Sequence, residues 1–303
     1  MSDKLQLVEV SPRDGLQNEP TLLSLAQKLQ LIESLCAAGI QRIEVASFVH
    51  PKLVPAMADA EAICTALQQQ PHLLHGATPI GLVLNRKGFE RALKAGIQEI
   101  GFVAAISRVF NEKNQGSTLD ETLDFIVDAA TEANKAGIAF NITLSTVFGC
   151  PFTGKIPPVA VQAMVKRLAK LGNIEIGLAD TIGVATPLEV SHLFSDMQRI
   201  FPDITWRGHF HNTRNTGLAN VFAAWQTGVR IFDTSLGGIG GCPFAPGATG
   251  NVPTEDVVYM LSNMAGDFSL PLLLHASHQL GTMLEKNLPA ALPKAGIFPP
   301  IKN

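Results

Sequence analysis

Eight times along this chain a short apolar run is followed by a segment of helical periodicity, and that rhythm narrows the possible folds more than any other feature. The candidate strands are Leu5–Val10, Arg42–Ser47, Ile80–Leu84, Glu99–Ala104, Ala139–Ser145, Ile174–Ala179, Trp206–His211 and Arg230–Ser235. Between them Leu22–Ala38, Ala56–Gln70, Lys87–Ala95, Leu119–Ala136, Val159–Leu171, Pro187–Ile200, Leu218–Gly228 and Thr254–Met264 read as helices. Several of these stop at a glycine (Gly39, Gly96, Gly137, Gly172, Gly228), where a left-handed cap is expected. Eight such units predict an α/β protein, a closed (β/α)8 TIM barrel. The rival is an open doubly wound sheet, which carries a glycine fingerprint after its first strand. Here the first strand runs instead into Ser11-Pro12-Arg13-Asp14-Gly15. The expected organisation is a catalytic barrel over residues 1–267. The Pro- and Leu-rich tail, 268–303, forms a short C-terminal helical extension packed on the barrel or on a partner subunit.

Composition excludes several classes of function. With 303 residues, 46% of them hydrophobic, the chain can bury a large core. A net charge of −3 gives no basic footprint for nucleic acid. No apolar run reaches the roughly 18 residues that a membrane span needs. The start, Met1-Ser2-Asp3-Lys4, lacks the pattern of a secretory signal or transit peptide, and the final Pro300-Ile301-Lys302-Asn303 is no peroxisomal address. Cys36, Cys64, Cys150 and Cys242 are scattered without CxxC spacing, which argues against a zinc cluster or disulfide framework and fits a reducing, cytoplasmic setting.

In a TIM barrel the working residues sit at the C-terminal ends of the strands. The unusual residues of this chain fall there. The first strand leads to Arg13 and Asp14, the second holds Glu44 and Ser47, and the sixth leads to Asp180 and Thr181. The seventh ends in Gly208-His209-Phe210-His211-Asn212, and period-2 alternation puts both histidines on one face. After the eighth comes a glycine-rich loop, Gly237 through Asn251, with Cys242 inside it. One aspartate, two imidazoles and an amide oxygen make an open octahedral site for Mg²⁺ or Mn²⁺, and ligation without sulfur argues against structural zinc. Each residue also has a plainer reading. Arg13 and Asp14 fit a turn ion pair, Glu44 a charge neutralised by a basic neighbour, and Asp180 a cap on the following segment. Cys242 fits a small buried hydrophobe and Asn251 a turn residue. Their joint placement at strand ends favours a shared function. His50, His72, His75, His192, His275 and His278 have no such pattern and read as surface or packing residues.

Four stretches make a family recognisable: Val8 through Glu19, Ile43 through Lys52, Asp180-Thr181-Ile182-Gly183, and the loop from Gly240 through Asp256. They resemble 3-hydroxy-3-methylglutaryl-CoA lyase, one of the metal-dependent TIM-barrel Claisen-type lyases and synthases. The likeness runs from about Leu5 to Met264, and the loop around Cys242 is its most specific part. The resemblance implies that Asp14, His209, His211 and Asn251 are metal ligands and that Arg13 holds the thioester oxygen. It further implies that Cys242 is the loop cysteine needed for catalysis and that Glu44 and Asp180 lie near metal and substrate. The implied reaction is retro-Claisen cleavage of an acyl-CoA into acetyl-CoA and a keto acid such as acetoacetate. The implied cofactor is a divalent cation, Mg²⁺ or Mn²⁺, and the implied assembly is a homodimer. In such a reaction a cation lowers the pKa of the 3-hydroxyl, Asp14 or His209 takes its proton, and Arg13 stabilises the enolate that Cys242 protonates.

The chain departs from the family pattern around the acyl pocket. An arginine and a tyrosine of the fifth strand are replaced by Asn141 and Thr143. The lysine that often follows the first motif is Pro20, and Asp-Thr-Tyr-Gly-Gln after the histidines becomes Asn212-Thr213-Arg214-Asn215-Thr216. These changes predict a relative of hydroxymethylglutaryl-CoA with a different chain length or branch. Arg214 either replaces the lost cation at the substrate carboxylate or points to solvent. Coenzyme A is expected over the barrel mouth, near Asn18 and the Ser107–Asn114 loop. The competing functions are a Claisen-type synthase and a catalytically silent acyl-CoA-binding barrel. Synthases generally carry long C-terminal additions, and loss of Arg13, Asp14 or Cys242 would have favoured a silent barrel.

Overall fold

The computed structural model describes residues 4–241, 250–261 and 266–298. Its strands are β1 (Gln6–Glu9), β2 (Arg42–Ser47), β3 (Thr78–Val83), β4 (Glu99–Ala105), β5 (Ala139–Ser145), β6 (Gly149–Cys150), β7 (Gly154–Lys155), β8 (Glu175–Asp180), β9 (Thr205–Phe210) and β10 (Ile231–Thr234). Eight close into a barrel in the order β1-β10-β9-β8-β5-β4-β3-β2, with every ladder parallel. The short β6 and β7 pair with each other as an antiparallel hairpin beyond β5. This is the predicted (β/α)8 barrel.

The strands read as near-continuous apolar runs because both faces are covered, one by the helices and the other by the barrel interior. The outer layer comprises α1 (Leu25–Ala37), α2 (Ala60–Gln69), α3 (Arg86–Lys94), α4 (Arg108–Gln115), α5 (Leu119–Lys135), α6 (Pro158–Leu168), α7 (Pro187–Ile200), α8 (Gly217–Gln226) and α9 (Thr254–Met260). Ser24, Thr118 and Thr186 open α1, α5 and α7 with reciprocal capping boxes that satisfy the first free N–H groups. The five glycines expected to end helices all have positive φ, between +68° and +105°.

Beyond the barrel, α10 (Leu270–Met283) packs on α1 and α9, and α11 (Leu292–Ala295) follows it. Both backbone amides at Ala291 and Leu292 donate to the carboxylate of Asp256, which ties the tail to the start of α9. No helix among the described residues is long and apolar enough to cross a membrane.

One segment differs from expectation. The expected Ser107–Asn114 loop is taken up by helix α4, Arg108–Gln115: Ser107 caps its first turn, and Gly116 at φ +70° ends it. Only Val109 and Phe110 are apolar there, so no periodic stripe announces it.

Candidate active site

The site begins with β1. Its last residue, Glu9, is wholly buried and accepts the N–H groups of Ser11 and Leu236 and the hydroxyl of Thr254. One carboxylate thus gathers the ends of β1 and β10 and the start of α9. The chain then makes a single π-helical turn, Ser11–Gly15, closed by Gly15 N–H to Val10 O at 3.1 Å. Such turns are rare and cluster at functional positions. This one swings Arg13 and Asp14 over the barrel mouth.

There Arg13 donates Nε to Glu44 Oε2 at 2.7 Å and Nη1 to Asp14 Oδ1 at 2.7 Å. Burial opposes ionisation of Asp14, yet Arg13, His209, His211 and the Asn251 amide together bring its pKa down to about 2. Glu44 on β2 is buried and serves as the counter-charge that locks the guanidinium plane.

From β9, alternation delivers His209 and His211 to the same mouth, their rings 5.1 Å apart between centroids. His209 Nδ1 lies 3.0 Å from Asp233 Oδ2 on β10, which leaves Nε2 for the pocket. Burial disfavours an imidazolium at His209, but Asp233 and Asp14 outweigh it and hold the pKa above the usual histidine value.

Asn251 is brought alongside by an antiparallel bridge to His211, flanked by Asn212 N–H to Gly250 O at 3.0 Å and Val252 N–H to Phe210 O at 3.1 Å. Its Nδ2 donates to Asp14 Oδ2 at 2.8 Å and to Ile239 O at 3.2 Å.

These residues fit a divalent cation. One potential ligand atom from each of Asp14, His209 and His211 lies within 4.8 Å of the others. Oδ1 of Asn251, in the same cluster, is buried and accepts no hydrogen bond; an unpaired buried acceptor is costly unless something binds it. Charge points the same way. Around the mouth and the barrel interior beneath it, the described residues Asp14, Glu44, Glu99, Glu175 and Asp233 pair with Arg13, Arg42 and Arg207, and Asp233 also with His209. A divalent cation would offset this excess of acidic side chains.

Other expected residues fall elsewhere in the arrangement. Both oxygens of Asp180 are taken by backbone N–H groups of Val184 and Ala185 at 2.9 Å, so its carboxylate braces the loop before α7. Arg214 is exposed and donates to the carbonyls of Ile182 and Gly183, so it staples this same loop from the solvent side and does not line the pocket. Cys242 lies outside the described residues. Its neighbour Gly241 lines the pocket, and its carbonyl accepts from Asn18 Nδ2 at 2.9 Å.

Sequence reasoning missed one side chain at the centre of the barrel. Arg207, on β9, is wholly buried. It donates to Asp233 Oδ1 at 2.7 Å, Asn141 Oδ1 at 2.8 Å and Thr143 Oγ1 at 2.9 Å, and its Nε lies 3.1 Å from Glu175. The signal was present: the alternation that pairs His209 with His211 also places Arg207 on their face. The guanidinium absent from β5 therefore enters the interior from β9.

The pocket above this cluster spans about 930 Å³ of non-protein space, part of it open to solvent. Arg13, Asp14, His209, His211 and Asp233 form one side, and Ser47, Leu82, Val103, Thr143 and Ser145 the other.

Comparison with known proteins agrees with this geometry. A profile of the HMGL-like family matches residues 4–283. The chain is 42% identical to the (R)-citramalyl-CoA lyase of Chloroflexus aurantiacus, over 99% of this chain and 97% of that protein. It is 40% identical to the hydroxymethylglutaryl-CoA lyase of Pseudomonas mevalonii, over 95% and 93% of the two chains. Among solved structures, an HMG-CoA lyase from Acinetobacter baumannii in complex with coenzyme A and 3-methylmalate superposes with a TM-score of 0.92 at 38% identity, covering 100% of this chain and 99% of that one.

Proposed function

The chain belongs to the HMGL-like family, a carbon–carbon lyase on a TIM barrel, and from that premise we propose that it cleaves a branched 3-hydroxy-acyl-CoA bearing a distal carboxylate. The observation that carries this reading is the convergence of Asp14, His209 and His211 beneath Arg13, with the free Oδ1 of Asn251 beside them.

In the proposed reaction the 3-hydroxyl loses its proton to the neighbouring carboxylate of Asp14, which keeps lone pairs to spare, whereas both ring nitrogens of His209 are committed. The C2–C3 bond breaks, carbon 3 becomes a ketone, and the electron pair passes to C2 as the enolate of a two-carbon thioester. Arg13, already fixed by Glu44 and Asp14, faces the thioester oxygen and stabilises the enolate without having to reorganise. Cys242 delivers the proton that turns C2 into the methyl group of acetyl-CoA. Asp14, His209, His211 and Asn251 would hold Mg²⁺ or Mn²⁺, whose Lewis acidity brings a hydroxyl pKa toward neutrality. Asn18 and Gly241 form the rim toward coenzyme A.

Two acyl groups satisfy this chemistry, hydroxymethylglutaryl-CoA and the shorter citramalyl-CoA. The second is favoured by the β5 wall. Asn141 is buried and held by Arg207 and Glu99, and Arg207 itself is sealed from the pocket. No guanidinium is therefore exposed on that wall to meet the longer chain's carboxylate. Incubation with both thioesters, followed by mass spectrometry, tests the reading. Acetyl-CoA together with pyruvate or acetoacetate is the expected product; the absence of acetyl-CoA from either thioester and from other branched analogues refutes it.

A further inference from the structure

We propose that Thr143, oriented by Arg207, is the specificity-determining hydrogen-bond donor for the carboxylate of the acyl chain. The inference rests on the lyase reading above and adds to it the residue that selects the acyl group.

The argument starts from the donor inventory of a threonine hydroxyl, which has one hydrogen and two lone pairs. Arg207 has no lone pair to offer, so at 2.9 Å its Nη2–H must donate and Thr143 Oγ1 must accept. The direction of that bond is therefore fixed by chemistry. The remaining hydroxyl hydrogen has no acceptor among the described hydrogen bonds, and Thr143 is half-buried where it lines the pocket. Arg207 cannot turn away, because Asp233 holds its Nη1, Glu175 lies against its Nε, and Asn141 takes the second hydrogen of Nη2. A guanidinium sealed behind the wall thus polarises the hydroxyl of a threonine that lines the cavity.

A donor so placed selects an acceptor, and an anionic one above all. Hydrogen bonds to charged groups are the stronger class, and the positive charge behind Thr143 adds to the attraction. An acyl chain ending in a methyl group would leave the O–H desolvated and unpaired, which costs affinity. Arg207 acts here as a positioning residue, since it does not line the pocket. It joins two functions in one side chain: its Nη1 holds the carboxylate that orients His209, and its Nη2 holds the hydroxyl that reads the substrate.

The test is Thr143→Val, with Thr143→Ser as rescue, in the whole Mn²⁺-loaded enzyme. The probes are citramalyl-CoA, hydroxymethylglutaryl-CoA and 3-hydroxy-3-methylbutyryl-CoA, which lacks the carboxylate. Both calorimetric Kd and kcat/KM are read. For the carboxylated thioesters Thr143→Val weakens binding and lowers kcat/KM roughly 10- to 100-fold. Binding of Mn²⁺ stays within about 3-fold, and the uncarboxylated probe binds Thr143→Val no more weakly than wild type, because the variant has no hydroxyl left to desolvate unpaired. Serine restores the discrimination. Arg207→Lys keeps the charge but cannot span Asp233, Asn141 and Thr143 together, and it loses the same discrimination. Equal effects of Thr143→Val on all three thioesters, or none, overturn the proposal; an Arg207→Lys enzyme of full discrimination removes Arg207 from it. A wild-type enzyme that binds these thioesters without cleaving any refutes the lyase reading instead, and the binding comparison still decides the role of Thr143.

Discussion

Asp233 Oδ2 lies 3.0 Å from Nδ1 of His209, and its other oxygen is held at 2.7 Å by Arg207. The carboxylate thereby fixes both the tautomer and the ring plane of a histidine at the barrel mouth. Such an outer partner is worth 10- to 100-fold in metal affinity. Asp233→Asn is expected to weaken Mn²⁺ binding, read by calorimetry, by roughly that factor. Unchanged affinity would show that His209 needs no orienting group.

Gly240 has φ +105°, and a Cβ there would meet Asn251 Nδ2 at 2.7 Å and Asp14 O at 3.0 Å. Alanine is disfavoured twice, by backbone conformation and by contact with two residues of the cation cluster. Gly240→Ala should displace Asn251 and Asp14 together, so that Mn²⁺ affinity and acetyl-CoA release both fall about 10-fold or more. A variant with wild-type metal binding and activity would mean that this close approach is not needed.

Glu255, at the start of α9, is buried and accepts the N–H of Gly237 through both oxygens at 3.1 and 3.0 Å. Burial dominates, and the pKa is raised from the ordinary glutamate range to about 7. A carboxyl whose folded pKa is raised contributes its stability fully below the unfolded value near 4.5 and loses it as pH rises through about 7. The loss is about 3 kcal/mol. Thermal melts from pH 4.5 to 8 should therefore show the wild type declining relative to Glu255→Gln, whose amide does not ionise. Parallel melting curves for the two proteins across this range would contradict the assignment.

The barrel was legible because its pattern is local and repeated. The bounds of β2, β5 and α7 agree with the sequence reading residue for residue. Caps such as Ser24 and Thr118 carry their own signature. The histidine pair was legible for the same reason, since two side chains on one strand need no tertiary knowledge to share a face. Helix α4 was not, because capping by Ser107 and Gly116 outweighs a weak apolar pattern. Arg207 was not either. Its partners come from β5, β8 and β10, so its burial makes sense only once the barrel is closed. The absence of an arginine on β5 suggested a replacement at Arg214, in the loop after the histidine pair, but the cation comes from Arg207 on the strand before it, two places from β5 in the barrel. Asp180 illustrates a related limit: from sequence alone, an acid at a strand end reads equally as a site residue or as a brace.

The most direct measurement is acetyl-CoA release by the protein stripped of metal with a chelator and then titrated with Mn²⁺ or Mg²⁺. The account predicts that release from a carboxylated 3-hydroxy-acyl-CoA falls to background on stripping. It also predicts recovery on adding back about one equivalent of cation per chain, as befits a single site built by Asp14, His209, His211 and Asn251. Undiminished release from fully stripped protein would contradict it.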